Sequence, residues 1–327
     1  MTRIIQREYN YSDIYLKPKK TVVESRKECD VSVRLGGRKF ALPIYPANMK
    51  AVVNEETCEY LAKKNLFYSM HRFGVDAVAF THRMQSQGLI ASISIGVNDD
   101  TYSQLDQLQK AGLCPDYITL DIANAWCPKA EKMIKYVKDN FCQGKTFLIA
   151  GNVSGKEACA DLHKWGADAI KAGIAGGSVC ITKNKTGFHR PMVTTVLDCA
   201  EYCTPADLPL IADGGIVEHG DIAKAIACGA DMCMAGSLFA GYDQSAGELL
   251  EMTVDGKTTL RKEYYGSASQ FNKGEYKNVE GKKEYKEYKG CMDKLLIELK
   301  EDIQSSVSYA GGTTLSALTS AEMIVIH

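Results

Sequence analysis

The chain has 327 residues, 39 Lys and Arg against 40 Asp and Glu, a formal net charge of −1, and 45% hydrophobic residues. That balance excludes a protein working by bulk neutralisation of nucleic-acid phosphates, and no segment approaches the roughly 20 apolar residues of a membrane-crossing helix. The first residues lack the apolar stretch of a signal peptide. The 12 cysteines include no Cys-x-x-Cys pair and the 6 histidines show no ligand spacing. These features predict a soluble cytoplasmic protein with reduced thiols, no membrane or nucleic-acid partner and no thiolate metal cluster.

The arm Tyr9-Asn10-Tyr11-Ser12-Asp13-Ile14-Tyr15-Leu16-Lys17-Pro18-Lys19 shows neither a helical nor a strand period and reads as an irregular cover. Gly36-Gly37 predicts a hairpin. From residue 41 a rhythm sets in. Apolar runs at 41–45, 66–70, 89–95, 117–121, 146–150, 168–172, 208–212 and 232–235 alternate with helical patterns over 54–64, 75–87, 101–111, 128–140, 156–165, 193–203 and 221–228. Continuous rather than alternating apolar runs suit strands buried on both faces. They predict a (β/α)8 TIM barrel, with a doubly wound open sheet as the alternative that periodicity leaves open.

After residue 247 the rhythm breaks. Asp255-Gly256 reads as a hairpin turn. The stretch 272–290 carries six lysines and four glutamates and reads as a solvated loop or as a mobile lid over substrate. A C-terminal amphipathic helix is expected over 292–306, with Leu295, Leu296, Leu299 and Ile303 on one side. No linker divides the chain, so residues 1–327 are expected to form one catalytic domain.

Polar and glycine residues follow the apolar runs: Asn48-Met49, His71-Arg72, Asp121, Asn152, Asp213-Gly214-Gly215 and Gly236-Ser237. In a barrel these surround one mouth, where active sites sit. The glycines after the seventh and eighth strands suit phosphate binding through backbone N–H groups. After the sixth run, 168–172, lies Gly173-Ile174-Ala175-Gly176-Gly177-Ser178-Val179-Cys180-Ile181-Thr182-Lys183, a loop small enough to approach a ligand closely. Cys180 is a candidate nucleophile; a small buried hydrophobe is the plainer reading of an isolated cysteine.

Several stretches together carry a family resemblance: Asp13-Ile14-Tyr15-Leu16-Lys17-Pro18-Lys19, Pro46-Ala47-Asn48-Met49, Met70-His71-Arg72, Ile149-Ala150-Gly151-Asn152-Val153, Ser178-Val179-Cys180-Ile181-Thr182-Lys183, Ile211-Ala212-Asp213-Gly214-Gly215-Ile216 and Asn278-Val279-Glu280-Gly281-Lys282-Lys283. Over nearly its whole length the chain resembles the IMP dehydrogenase/GMP reductase family, on the reductase branch. The resemblance implies a homotetrameric barrel. In it, Cys180 attacks C2 of a purine nucleotide monophosphate, ammonia leaves, NADPH reduces the thioimidate and IMP departs. It assigns proton handling to Thr182 and Glu280. Ribose and phosphate contacts fall to Asp213, Ser178, Gly214, Gly215, Gly236 and Ser237. Base contacts fall to Met49, Gly266, Ser267 and Ala268, and Gly281 also binds the substrate. The dinucleotide would lie along Arg72, Asp121, Ile122, Ala123 and Asn152, with Ser25, Arg26, Ser305, Ser306 and Ser308 holding the rest partly across a subunit contact. Carbonyls of Ala175, Gly177 and Cys180 match a potassium site.

The dehydrogenase branch normally carries a regulatory CBS (Bateman) insertion between the second and third strands, for which the short stretch between His71 and Ile93 leaves no room. Its lid also needs an Arg-Tyr pair, and 270–290 contains no arginine. The chain departs from the family near the chemistry. The family's Gly-Ile-Gly-Pro-Gly is here Gly173-Ile174-Ala175-Gly176-Gly177, and alanine is expected to keep position 175 out of positive φ. Phe188-His189-Arg190 is expected to put bulk and charge beside the cysteine loop, and Trp126 to alter the nicotinamide pocket. These changes leave open a paralogue acting on another purine nucleotide such as dGMP, a short IMP dehydrogenase-like enzyme, or a non-catalytic nucleotide-binding barrel.

Overall fold

Seven of the eight apolar runs become staves of one parallel sheet in the computed structural model, which describes residues 7–177, 179–254, 257–267 and 281–326. A short strand β1 (Ile14–Leu16) and a hairpin, β2 (Val33–Leu35) with β3 (Arg38–Phe40), precede them. The staves are β4 (Ile44–Pro46), β5 (Ser92–Ile95), β6 (Tyr117–Asp121), β7 (Phe147–Val153), β8 (Ala169–Ala172), β9 (Leu210–Asp213) and β10 (Met232–Ala235). Beyond them β11 (Leu249–Val254), β12 (Lys257–Tyr265) and β13 (Lys283–Glu287) form an antiparallel sheet, and β14 (Met323–Val325) ends the series.

The stave order is β4-β10-β9-β8-β7-β6-β5. Neighbours in sequence are neighbours in space and the first strand lies beside the last, as in a closing barrel and unlike a doubly wound sheet. The run 66–70 departs from expectation. It contributes an isolated parallel bridge, Met70 to Ile93, rather than a strand. Its side chains still fill the barrel: buried Phe67 packs edge-on against Tyr45, Tyr117 and Phe40 at centroid distances of 4.8, 5.1 and 5.3 Å. This aromatic cluster sits beneath the β2–β3 hairpin, whose Leu35 carbonyl accepts from the Tyr117 hydroxyl at 2.8 Å.

The helices are α1 (Glu55–Lys63), α2 (Ala77–Ser86), α3 (Asp99–Lys110), α4 (Pro128–Asn140), α5 (Lys156–Trp165), α6 (Thr182–Thr186), α7 (Met192–Cys203), α8 (His219–Ala227) and α9 (Met292–Tyr309). Their ends have local causes. Asn54 and Asp76 accept N–H groups of the first turns of α1 and α2. Pro128 opens α4. Gly166, at φ +118°, closes α5 in a left-handed conformation. None of the helices among the described residues is long and apolar enough to cross a membrane.

The N-terminal arm is more regular than its sequence suggests. β1 pairs antiparallel with β14, Ile14 opposite Val325, and Lys17 pairs with Glu322 at 2.9 Å. Local periodicity carries no trace of a partner that distant in the chain.

At the end of the barrel opposite the cysteine loop, every second stave is preceded by an aspartate. Asp116, Asp168 and Asp231 lie just before β6, β8 and β10, and their carboxylates accept the backbone N–H groups of Ala91, immediately before β5, Leu148 on β7 and Leu210 on β9, at 2.9, 2.7 and 2.8 Å. Each clamp fixes the register of one stave against the next and satisfies an N–H at the sheet's rim. Asp168 is also paired with Lys138 at 2.8 Å. Asp168→Ala is therefore expected to destabilise the fold by about 1–3 kcal/mol, read as a lowered urea midpoint at unchanged m-value. A shift no larger than that of a solvent-facing aspartate would refute the clamp.

Candidate active site

Four consecutive staves end in side chains that meet. Lys171 stands in the otherwise apolar β8, and its side chain is 1% exposed. Its Nζ donates to Asp121 Oδ1 on β6 at 2.9 Å, Asn152 Oδ1 on β7 at 2.5 Å and Asp213 Oδ2 on β9 at 2.7 Å. Asn152 Nδ2 donates to Asp213 Oδ2 and to the Gly173 carbonyl, both at 2.6 Å. Burial alone would pull the amine's pKa down; the two carboxylates outweigh it and hold the amine charged, above its ordinary range. Asp121, Asn152, Lys171 and Asp213 all line a cavity of about 420 Å³ at this end of the barrel. Sequence reasoning missed Lys171, although a lysine inside a fully apolar strand was the signal, since a buried charge demands partners.

The cysteine loop packs backbone to backbone on the loop after β9. A Cβ on Gly173 (φ +141°) would be driven into the Asp213 carbonyl, and one on Gly214 (φ +100°) would lie 2.9 Å from the Gly176 carbonyl carbon. Only glycine permits this approach. Ala175, against expectation, is left-handed, at φ +59°. Its neighbours hold it there: His189 Nδ1 lies 3.0 Å from the Ile174 carbonyl oxygen, and Met192 fills the space beside Gly176. The altered segment after the loop thus acts as a buttress. Arg190 turns away from the site to pair with Glu8 and Asp198 and to donate to the Ser154 carbonyl, and Phe188 is 74% exposed. Trp126 also lies outside the cavity wall, its indole N–H on Asp161 at 2.8 Å.

Cys180 Sγ lies 3.1 Å from Thr182 Oγ1, the first residue of α6. The outer sheet reaches this point through its backbone. Cys180 makes an antiparallel bridge with Gly281. Lys282 N–H donates to the Val179 carbonyl at 2.9 Å, and the Lys282 carbonyl accepts from Gly266 N–H at 3.1 Å. Tyr264, Gly266, Ser267 and Gly281 thereby join the cavity wall.

Of the remaining expected residues, Met49, Arg72, Ile122, Ala123, Ala175, Gly177, Thr182, Gly214 and Gly236 line the same cavity. Gly215 and Ser237 follow the wall residues Gly214 and Gly236 without lining it themselves. Ser25, Arg26, Ser305, Ser306 and Ser308 lie apart from it, tied by Arg26 Nη1 donating to Ser305 Oγ at 2.9 Å and by Thr21 beside Ser308 at 2.8 Å. Ser178, Ala268, Glu280 and the turn Asp255-Gly256 fall outside the described residues. The Gly177 carbonyl already accepts Cys180 N–H at 3.1 Å.

Arg72 fits a polar ligand. Its guanidinium lies 4.6 Å over the Phe73 ring, and its Nε is buried without a hydrogen-bond partner among the described residues. The preceding His71 is buried and accepts the Phe73 N–H at Nδ1, 3.2 Å away. Burial, reinforced by Lys50, lowers its pKa to about 4.

Two predictions follow from this geometry. Between pH 6.5, the ordinary histidine value, and about 4, the unfolded chain binds a proton at residue 71 that the folded chain refuses. The resulting stability is complete above pH 6.5 and is lost as pH falls toward 4, by about 3 kcal/mol; His71→Gln should flatten that slope in urea unfolding at pH 7 and 5, and an equal slope in both proteins would refute it. Ala175→Gly should be neutral or stabilising by up to about 1 kcal/mol, whereas Ala175→Val costs about 1–3 kcal/mol; thermal unfolding giving the reverse order would rule out a left-handed residue here.

The family described as "IMP dehydrogenase / GMP reductase domain" matches residues 8–327. The GMP reductase of Chromobacterium violaceum is 68% identical over 99% of this chain and 100% of its own length. The GMP reductases of Acidovorax ebreus and Bacillus cereus are each 50% identical over 97% of this chain, and over 96% and 95% of their own lengths. The chain belongs to the IMP dehydrogenase/GMP reductase family.

Proposed function

We infer that the chain catalyses the NADPH-dependent reductive deamination of GMP to IMP and ammonia. The observation that carries this reading is Cys180 Sγ, 3.1 Å from the Thr182 hydroxyl, in the wall of a cavity shared with Asp213 and Asp121. A thiolate is the right nucleophile for C2 of guanine, an electron-poor carbon between two ring nitrogens, because it can also leave again.

In this reading Cys180 Sγ bonds to C2, the amino group takes up a proton and departs as ammonia, and a thioimidate remains on the cysteine. Thr182 Oγ1 relays that proton, with Glu280 as its partner. Bound NADPH supplies the hydride that C2 receives. The C–S bond then breaks, IMP leaves and the thiolate is restored. Asp213 accepts hydrogen bonds from the ribose hydroxyls. The backbone of Ser178, Gly214, Gly215 and Gly236, with Ser237, holds the phosphate, and Met49, Gly266, Ser267, Ala268 and Gly281 shape the base pocket. Asp121, Ile122, Ala123 and Asn152 would hold the nicotinamide end of NADPH, with Arg72 Nε, which has no partner among the described residues, donating to a polar group of it. Ser25, Arg26, Ser305, Ser306 and Ser308 would bind its far end across a contact in a cytoplasmic homotetramer. Potassium on the carbonyls of Ala175, Gly177 and Cys180 belongs to the same proposal.

The test is oxidation of NADPH followed by absorbance with GMP, then with dGMP, and with IMP plus NAD in the other direction. Turnover with GMP is expected. Turnover only with another purine nucleotide would overturn the substrate, and none with any would favour a binding protein. Cys180→Ala should lower kcat by at least about 10³-fold while GMP still binds; retained turnover would remove the covalent step.

A further inference from the structure

We propose that Lys171 is a positioning residue that couples the nucleotide half of the cavity to the cofactor half by holding one oxygen each of Asp213 and Asp121. An ammonium has three donors and no acceptor. All three are spent inside the protein, on Asp121 Oδ1, Asn152 Oδ1 and Asp213 Oδ2, from three different staves. None remains for a ligand, so Lys171 acts through its neighbours. What it leaves open is the second oxygen of each carboxylate: Asp121 Oδ2 and Asp213 Oδ1 have no hydrogen-bond partner among the described residues, and both aspartates line the cavity. Holding Asn152 by its Oδ1 also aims the amide's Nδ2 at Asp213 and at the Gly173 carbonyl, where the cysteine loop begins.

The assignment of nucleotide to Asp213 and cofactor to Asp121 rests on the reductase reading; the coupling itself rests on the geometry. Two carboxylates sharing one ammonium at 2.9 and 2.7 Å lie within about 6 Å of each other. Without the amine between them, both cannot stay ionised across the neutral range. The groups facing Lys171 are these two carboxylates and Asn152. The buried Tyr45 phenol on β4 is pushed up by burial, then by both carboxylates and by Cys233 on β10, and Arg72 and Cys180 line the same cavity as the carboxylates.

The experiment compares the wild type with Lys171→Met and Lys171→Met/Asp121→Asn, measuring KM for GMP and for NADPH, kcat, and calorimetric GMP binding from pH 5 to 9. For Lys171→Met we expect both KM values to rise at least about tenfold, kcat to fall less, and GMP binding to acquire a new pH-dependent limb near neutrality. Adding Asp121→Asn removes the like charge, so the new limb should vanish and GMP affinity recover while NADPH binding stays weak. Unchanged KM values in Lys171→Met, or a limb that Asp121→Asn leaves in place, would overturn the coupling. Should Lys171→Met fail to fold, the double variant, which removes the buried amine together with one of the charges it balances, carries the test alone: equal weakening for both ligands refutes it. Absence of turnover in the wild type would fail the reductase reading instead, and GMP binding across pH would still decide the role of Lys171.

Discussion

One buried ammonium holds the mouth of this barrel in shape. Lys171 could not remain charged at that depth without partners, and its partners come from the two flanking staves and the one beyond them. Satisfying the charge therefore fixes the relative heights of β6, β7, β8 and β9. It also fixes Asn152, whose amide reaches the Gly173 carbonyl and so the start of the cysteine loop. From there the constraints run outward through contacts that tolerate no side chain, Gly173 against the Asp213 carbonyl and Gly214 against Gly176, until they reach Cys180 beside Thr182.

The two ends of the barrel divide the work. One end is closed by the aromatic cluster of Phe40, Tyr45, Phe67 and Tyr117, the hairpin above it and the three aspartate clamps. Those elements make the frame rigid and do not line the cavity, although the Tyr45 phenol lies close enough to feel the charges of Asp121 and Asp213. The other end carries glycine loops, hydroxyls and charges that a packed core would not accept. A frame held at one end leaves the other free to spend stability on geometry, such as a left-handed alanine in the cysteine loop.

Much of this was legible in the residues. Helix ends were marked by local chemistry, so that α4 and α5, with Pro128 at one start and Gly166 at one end, fall on the expected residues. Of the cavity residues, Met49, Arg72, Asp121, Asn152, Cys180, Asp213, Gly214 and Gly236 could be named because active-site positions follow barrel strands, and Ile122, Ala123, Thr182, Gly266, Ser267 and Gly281 only through the family resemblance. What was not legible has a common cause: it depends on partners distant in the chain. Lys171 looks like an interruption of an apolar run until β6 and β9 bring Asp121 and Asp213 beside it. The pairing of β1 with β14 joins opposite ends of the chain. The direction of Arg190 depends on Glu8 and Asp198, and the φ of Ala175 on His189 and Met192. The run 66–70 was read correctly as buried, but apolarity reports burial and not which hydrogen bonds a backbone makes.

The sheet of β11, β12 and β13 stands outside the barrel and exposes much of its surface, yet its spacing is not free. β12 is tied back by Lys262, whose amine donates to the carbonyls of Tyr242 and Ser245 at 3.0 and 2.6 Å. At its end Tyr264 lies against Gly236, where no Cβ would fit. The strand pair then supplies the backbone groups that meet Val179 and Cys180. Since strand side chains alternate with a period of two, losing or gaining one residue in β12 would turn Tyr264 to the opposite face and slide Gly266 along the cysteine loop. This sheet can therefore vary in its exposed side chains but not in its length: drift by substitution is open to it, and drift by single insertion or deletion is closed.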